Sequence, residues 1–285
     1  IIVDGVKANY FSLDGICIAN QKSIKLDRIQ VLNSDFEYNG RQGLSWIGGN
    51  DLKVKNCKFN HTGQAKIFSP PGAGVDVEAE LGPIKNGRFE NCEFINNKGV
   101  GMVADNGESR DCSFRNCIFW GINTWSIWVT KPGFTFDSCG IYGSVVHGFN
   151  ANTDNEATRF INCHFEDKAY NKKEPYGKFL LESNNKKRMS FEKCTFISNK
   201  KKLLWVQLGN SASPEEKYQF RESTFIIKNE NLRQRDWVAV LRGIRIKDCK
   251  FIFTSKLAKE HGYYLNSYIK DFNINEGGNK IIFVD

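Results

Sequence analysis

Two short apolar segments, Gly74-Val-Asp-Val-Glu78 and Gly101-Met-Val-Ala-Asp105, carry three acids at alternating positions. Read as neighbouring parallel strands, with Val75 over Met102 and Val77 over Ala104, they put Asp76, Glu78 and Asp105 on one outward face, because side chains alternate along a strand. Residues two apart on a strand lie roughly 6.5 to 7 Å apart and adjacent strands about 4.8 Å, so the diagonal from Asp76 to Asp105 is about 8 Å. Carboxyl pairs at about 5 to 5.5 Å cleave glycosides with retention, and pairs at about 6.5 to 9.5 Å with inversion. Both spacings are available to these three acids. Crowding also raises the pKa of one carboxyl and leaves a protonated acid beside an ionised base. The competing readings are a solvated acidic surface and a calcium site made by the same carboxylates.

The neighbouring outward positions suit a sugar. Trp125 and Trp128 offer flat apolar faces for pyranose rings. Arg41, Lys131 and His147 are the groups to neutralise a uronate or to act as the base of an elimination. Gly72 and Gly99 are expected to leave room above the acids. His61, Thr62 and the loop Gly63 to Pro71 are expected to form one wall of a cleft. The bland alternatives are core tryptophans and a structural His147. No nucleophilic Ser or Cys constellation, phosphate-binding glycine loop or zinc spacing is present. Asn60-His-Thr62 is a formal glycosylation triplet.

A repeat must position these residues. Phe89-Glu-Asn-Cys-Glu-Phe94, Phe114-Arg-Asn-Cys-Ile-Phe119, Phe160-Ile-Asn-Cys-His-Phe165 and Phe191-Glu-Lys-Cys-Thr-Phe196 share one pattern. Units centred on Cys57, Cys139, Ser223 and Cys249 extend it, with Val6 and Ile29 as its earliest members, so the count reaches about ten. The first aromatic and the Cys are three apart, the Cys and second aromatic two apart. One flat strand cannot send all three inward, so a corner intervenes, and Asn tolerates the left-handed backbone a corner needs. A third strand follows a variable loop in each unit, the acidic segments among them. The expectation is all-β: a right-handed parallel β-helix of about ten turns, three strands per turn. The cysteines recur at one repeat position with no paired logic, which predicts a column of buried free thiols; Cys17 and Cys112 fall outside it.

The Phe-x-Asn-Cys-x-Phe coils, the Asn corner and the segment Ala73-Gly-Val-Asp-Val-Glu-Ala-Glu80 resemble the pectate-lyase-like right-handed β-helix superfamily of polysaccharide lyases, glycoside hydrolases, uronate epimerases and phage tailspike depolymerases. The paired-Asp and Gly-His-Gly signatures of its polygalacturonase branch are missing. The resemblance implies a carbohydrate-active enzyme degrading an acidic polysaccharide, such as a capsular or exopolysaccharide, by hydrolysis or β-elimination. On that reading Asp76, Glu78 and Asp105 are catalytic, and Arg41, Trp125, Trp128, Lys131 and His147 bind substrate. No cofactor is expected, apart from a calcium ion at the acids in the lyase case. The alternative is a non-catalytic glycan-binding β-helix, an adhesin or receptor-binding stalk. The partner is the polysaccharide; the chain acts as a monomer or homotrimer, outside the cell or on a virion.

Bulk composition agrees. Forty per cent hydrophobic residues, with 22 Phe and 6 Pro among 285, suits many short strands. Residues 1–285 read as a single β-helix domain. Because Ile1 to Val6 already look like strand, the chain is expected to be a fragment lacking its N-terminal part. No apolar run approaches the roughly 18 residues of a membrane span, so no membrane insertion is expected. The net charge of +8 is concentrated in Lys168 to Arg188, Lys200 to Lys202 and Arg233 to Arg245, which are either solvated loops or a surface for polyanions. Nucleic acid is not expected, since no RNA-binding signature or basic helix appears.

Overall fold

The computed structural model describes residues 1–20, 28–143, 153–177, 179–183, 189–200, 202–206, 219–229, 239–241, 245–254 and 276–284. Its repeating unit is built around the corner. Asn116 sits there with φ 52°, and Asn33, Asn56, Asn91 and Asn162 do the same at φ between 49° and 55°. The residue after the corner points inward and returns a hydrogen bond to the carbonyl two residues back. Cys117 Sγ donates to Arg115 O at 3.3 Å, and Cys57, Cys92, Cys139, Cys163, Cys194 and Cys249 repeat that contact. Ser34 and Ser223 make it with a hydroxyl, at 2.6 and 2.9 Å. The position therefore selects a small side chain with a donor. All nine cysteines are free; only Cys17 is exposed.

Ser34 corrects the expected repeat. Val31 pairs with Val3 before it and Val54 after it, so the second unit is Val31-Leu-Asn-Ser-Asp-Phe36, and Ile29 does not hold the Cys position. With neither a Cys nor a leading Phe to mark it, the unit read from sequence lies five residues early.

Strands before the corner form a ten-stranded parallel sheet, from Ile2–Asp4 to Arg245–Lys247. Those after it form an eight-stranded sheet from Glu93–Ile95 to Lys280–Phe283. In the first three units this second sheet shrinks to the bridging residues Lys7, Asp35 and Lys58. The coil thus amounts to about seven turns, slightly fewer than the ten expected. Between the sheets the phenylalanines stack turn on turn. Centroids of Phe89, Phe114, Phe136, Phe160, Phe191 and Phe220 follow one another at 4.5 to 5.1 Å, the spacing of the strands that carry them.

The third sheet contains Asp14–Ile18, Gln42–Trp46, Val75–Val77, Met102–Ala104 and Ile127–Val129. Three later strands, Phe179–Ser183, Lys202–Val206 and Ala239–Leu241, form a separate parallel set. The strand expected over Gly148 to Asn152 lies outside the described residues. Register in the acidic region is as expected: Val75 pairs with Met102 and Asp76 with Val103, and Leu44, Trp46, Val75, Val77, Met102, Ala104, Ile127 and Val129 are buried. One element was not expected. Gly49–Asn50, Ile84–Lys85 and Ser109–Arg110 make a short fourth sheet just past the third, so these turns carry more than three strands.

Candidate functional site

Stacked across the third sheet, the outward column reads Cys17, Ser45, Asp76, Val103, Trp128. The sequence places this column in solvent. The structure buries its middle: Ser45 is 0%, Asp76 5% and Val103 8% exposed. Part of the cover is Gln42, whose amide nitrogen donates to Asp76 Oδ2 at 2.6 Å and to Glu78 Oε1 at 2.9 Å. Strict alternation would send Gln42 inward. A Cβ on Gly43, however, would stand 3.0 Å from the Phe59 side chain, so Gly43 and Leu44 both face the core, the alternation slips there, and Gln42 emerges beside the acids of the next turn. Its own Oε1 is buried without a hydrogen-bond partner.

Asp76 and Glu78 are also hydrogen-bonded to each other. Burial comes first among the causes that push the Asp76 carboxyl up to about 9, followed by that bond and by the charges of Glu78, Asp105 and Glu80. At neutral pH the pair therefore holds one proton, with Asp76 the buried member, Glu78 half-buried, and Asp105 exposed on the next turn. Two carboxyls joined by a proton are too close to stand on either side of a glycosidic bond. The retaining geometry between Asp76 and Glu78 is thereby lost; Asp105 stands across from Glu78 on the next strand at about 4.8 Å and diagonally about 8 Å from Asp76, so Glu78 and Asp105 keep a retaining spacing.

Arg41 lies at the edge of this cluster. Its Nε donates to Asp14 Oδ1 at 2.8 Å and its Nη2 contacts Asp14 Oδ2, a bidentate pair that the sequence reading missed. The Asp14 hydrogen bond leads the causes that raise the Arg41 pKa further; burial opposes it, and Glu78 and Cys17 contribute. Its fork is thus already engaged by a carboxylate. Burial, then Asp14, pushes the Cys17 thiol up, which keeps it protonated.

Trp128 ends the column and packs against Trp125, centroids 4.7 Å apart and tilted 44°. Tyr176, from a later loop and 43% exposed, meets Trp125 edge-on at 6.1 Å. Both tryptophans are half-buried. Tyr176 had no repeat position to betray it. The loop from Gly63 to Pro71 folds over Gly40, with Ser69 N donating to Gly40 O at 3.0 Å, and exposes Ile67 and Phe68. His61 and Thr62 do not extend that wall: His61 stacks on Tyr38 at 4.6 Å, and Thr62 is buried. The glycines near the acids do not open space either. A Cβ on Gly99 would stand 2.1 Å from the Pro71 carbonyl oxygen; close backbone packing is what requires them.

Lys131 lines a cavity of about 610 Å³ between the ends of the third-sheet strands and the short fourth sheet, a cavity to whose lining Asp76, Glu78 and Asp105 do not contribute. His147 lies outside the described residues. Asn60 is 4% exposed and donates to Glu37 and Glu93, so the glycosylation triplet is structural. Of the basic clusters, Lys168 lies over the Trp120 ring at 5.7 Å and Lys200 pairs with Glu174 at 2.6 Å; much of the remainder is outside the described residues.

No group of three His, Cys, Asp or Glu among the described residues is placed to hold a metal ion. The acids do not fit the expected calcium. No helix of the described residues is long and apolar enough to cross a membrane.

Residues 1–136 match a family of proteins described as the right-handed β-helix region. No curated protein and no solved structure matches the chain. The matched stretch contains the corner, the stacked phenylalanines and the acidic strands, and the same coil continues past it to Phe283: the chain is a right-handed parallel β-helix.

Proposed function

We propose that this β-helix binds an acidic polysaccharide along its third sheet and hydrolyses it with retention, outside the cell or on a virion. The observation that carries the reading is a carboxyl pair that keeps a proton at neutral pH within one turn of an exposed carboxylate and two turns of a tryptophan pair. Glu78, the more accessible member, donates the shared proton to the glycosidic oxygen as the bond to the anomeric carbon breaks. Asp105, across from Glu78 on the next strand at about 4.8 Å, attacks that carbon from the opposite face, and water, giving its proton to Glu78, then releases the sugar from the resulting ester, the retaining course. Asp76 supplies the held proton and Gln42 fixes both carboxyls. Elimination is less well served, because Arg41 is engaged by Asp14 and Lys131 lies in the separate cavity.

The test is a panel of acidic polysaccharides, following reducing ends together with absorbance near 235 nm. Reducing ends without absorbance are expected. Glu78→Gln and Asp105→Asn should each lower turnover by about 10² to 10⁴ while the fold survives. Full activity in both variants places the chemistry elsewhere. The 5% exposure of Asp76 favours a second reading, a glycan-binding surface without catalysis, which binding with no cleavage of any substrate would establish.

A further inference from the structure

The cavity that contains Lys131 has a chemistry of its own. Lys85, Arg110 and Lys131 line it against a single acid, Glu108. Arg110 is paired with Asp111 at 2.7 Å, but neither lysine has a carboxylate within 4.0 Å among the described residues. Ile84, Pro83, Pro132 and three glycines make the remaining wall largely apolar. Two lining groups are buried without a hydrogen-bond partner: the hydroxyl of Ser109, which is 2% exposed, and the side-chain oxygen of Asn50. An unpaired buried polar atom is costly, and a ligand that satisfies it recovers that cost.

We propose that this cavity binds a hexuronate unit. Its lysines, without a carboxylate beside them, favour an anion, and its unpaired Asn50 oxygen is an acceptor that needs a donor. Sulfate is an anion that brings acceptors only; a uronate brings a carboxylate and several hydroxyl donors on one ring. A volume of about 610 Å³ lies within the roughly 300 to 1,000 Å³ of small-molecule sites, and the apolar wall suits a sugar face. Thr130 and Gly107, which line it, each lie two residues beyond Trp128 and Asp105. The cavity therefore adjoins the acid and aromatic row. Its place as a subsite of one polysaccharide groove rests on the hydrolase reading; its preference for a uronate does not.

The experiment is ligand-observed NMR on the full chain with millimolar glucuronate, galacturonate and mannuronate, against glucose, galactose, mannose and inorganic sulfate. At least one hexuronate should bind, with its neutral counterpart about tenfold weaker or undetected. Lys85→Gln with Lys131→Gln should weaken that uronate about tenfold and reduce its salt dependence. Ser109→Ala should weaken it with the salt dependence unchanged. Circular dichroism on every variant separates lost binding from lost fold. Equal binding of the neutral sugar, sulfate competing as tightly as the uronate, indifference to the lysine changes, or no uronate binding would each overturn the proposal. Uronate binding without cleavage of any polysaccharide would leave it standing and remove the hydrolase reading alone.

Discussion

Asp76 is the residue with the most at stake, because a carboxyl that is 5% exposed and pushed up to about 9 links folding to pH. The folded chain keeps this proton where the unfolded chain, titrating near the ordinary aspartate value of 3.8, releases it. The destabilising contribution is absent below that lower value, grows as pH rises between the two, and is complete above about 9. Wild-type stability should therefore fall between pH 5 and pH 8, by up to about 1.4 kcal/mol per unit from this group. Asp76→Asn keeps an acceptor for Gln42 and removes the slope. Urea midpoints at the two pH values decide it, and identical pH dependence in wild type and variant would show that Asp76 titrates normally. Trp128 tests the same row in binding: Trp128→Ala should leave the melting temperature within a few degrees yet weaken polysaccharide binding by about 1 to 3 kcal/mol, on the stacking scale measured for bases. A large loss of stability instead would put Trp128 in the core. The three acids and this tryptophan were legible from alternation alone. Gln42 and Asp14 were not: the first needs the slip at Gly43, and the second is recognised only when Arg41 reaches it across a turn.

At the scale of the element, the corner and the stacked rings together explain why the repeat could be read without homologues. The corner demands a left-handed residue followed by a small donor, and the strands on each side demand an inward aromatic. Six-residue motifs therefore recur wherever both demands hold. The motif fades where Ser replaces Cys and Val replaces the leading Phe together, as in the unit of Val31 and Ser34, and the expected register is offset there, whereas Ser223 keeps Phe220 and Phe225 to mark it. The fourth sheet was invisible for a different reason: Gly49–Asn50, Ile84–Lys85 and Ser109–Arg110 are two residues long, too short for any alternation to show. Phe94 stands between both aromatic columns, stacked on Phe119 at 4.6 Å and edge-on to Phe89 and Phe114. Phe94→Ala should cost about 3 to 5 kcal/mol in chemical denaturation. A loss below about 1 kcal/mol would mean that neighbouring rings collapse into the space, and that the columns are looser than their stacking distances imply.

In a solenoid each turn touches only its neighbours, so the molecule is close to one-dimensional and a surface column becomes a track along its axis. Here that track runs Cys17, Ser45, Asp76, Val103, Trp128, and its two ends differ in chemistry. Trp128 lies two strands beyond Asp76 and Cys17 two strands before it, each about 10 Å away at the parallel-strand spacing. A polysaccharide bound along the axis, with its reacting bond at the acids, must cover both ends; one bound across the sheet covers neither. Cys17 reports which holds, because it is the one exposed thiol among nine. With a thiol reagent under native conditions one cysteine should react, and the other eight only after denaturation. Because burial and Asp14 hold its proton, Cys17 should react slowly at pH 7 and faster as pH rises. Saturating polysaccharide should slow that single reaction about tenfold or more if the chain lies along the track. An unchanged Cys17 rate together with an unchanged tryptophan fluorescence at saturation would turn the substrate across the sheet.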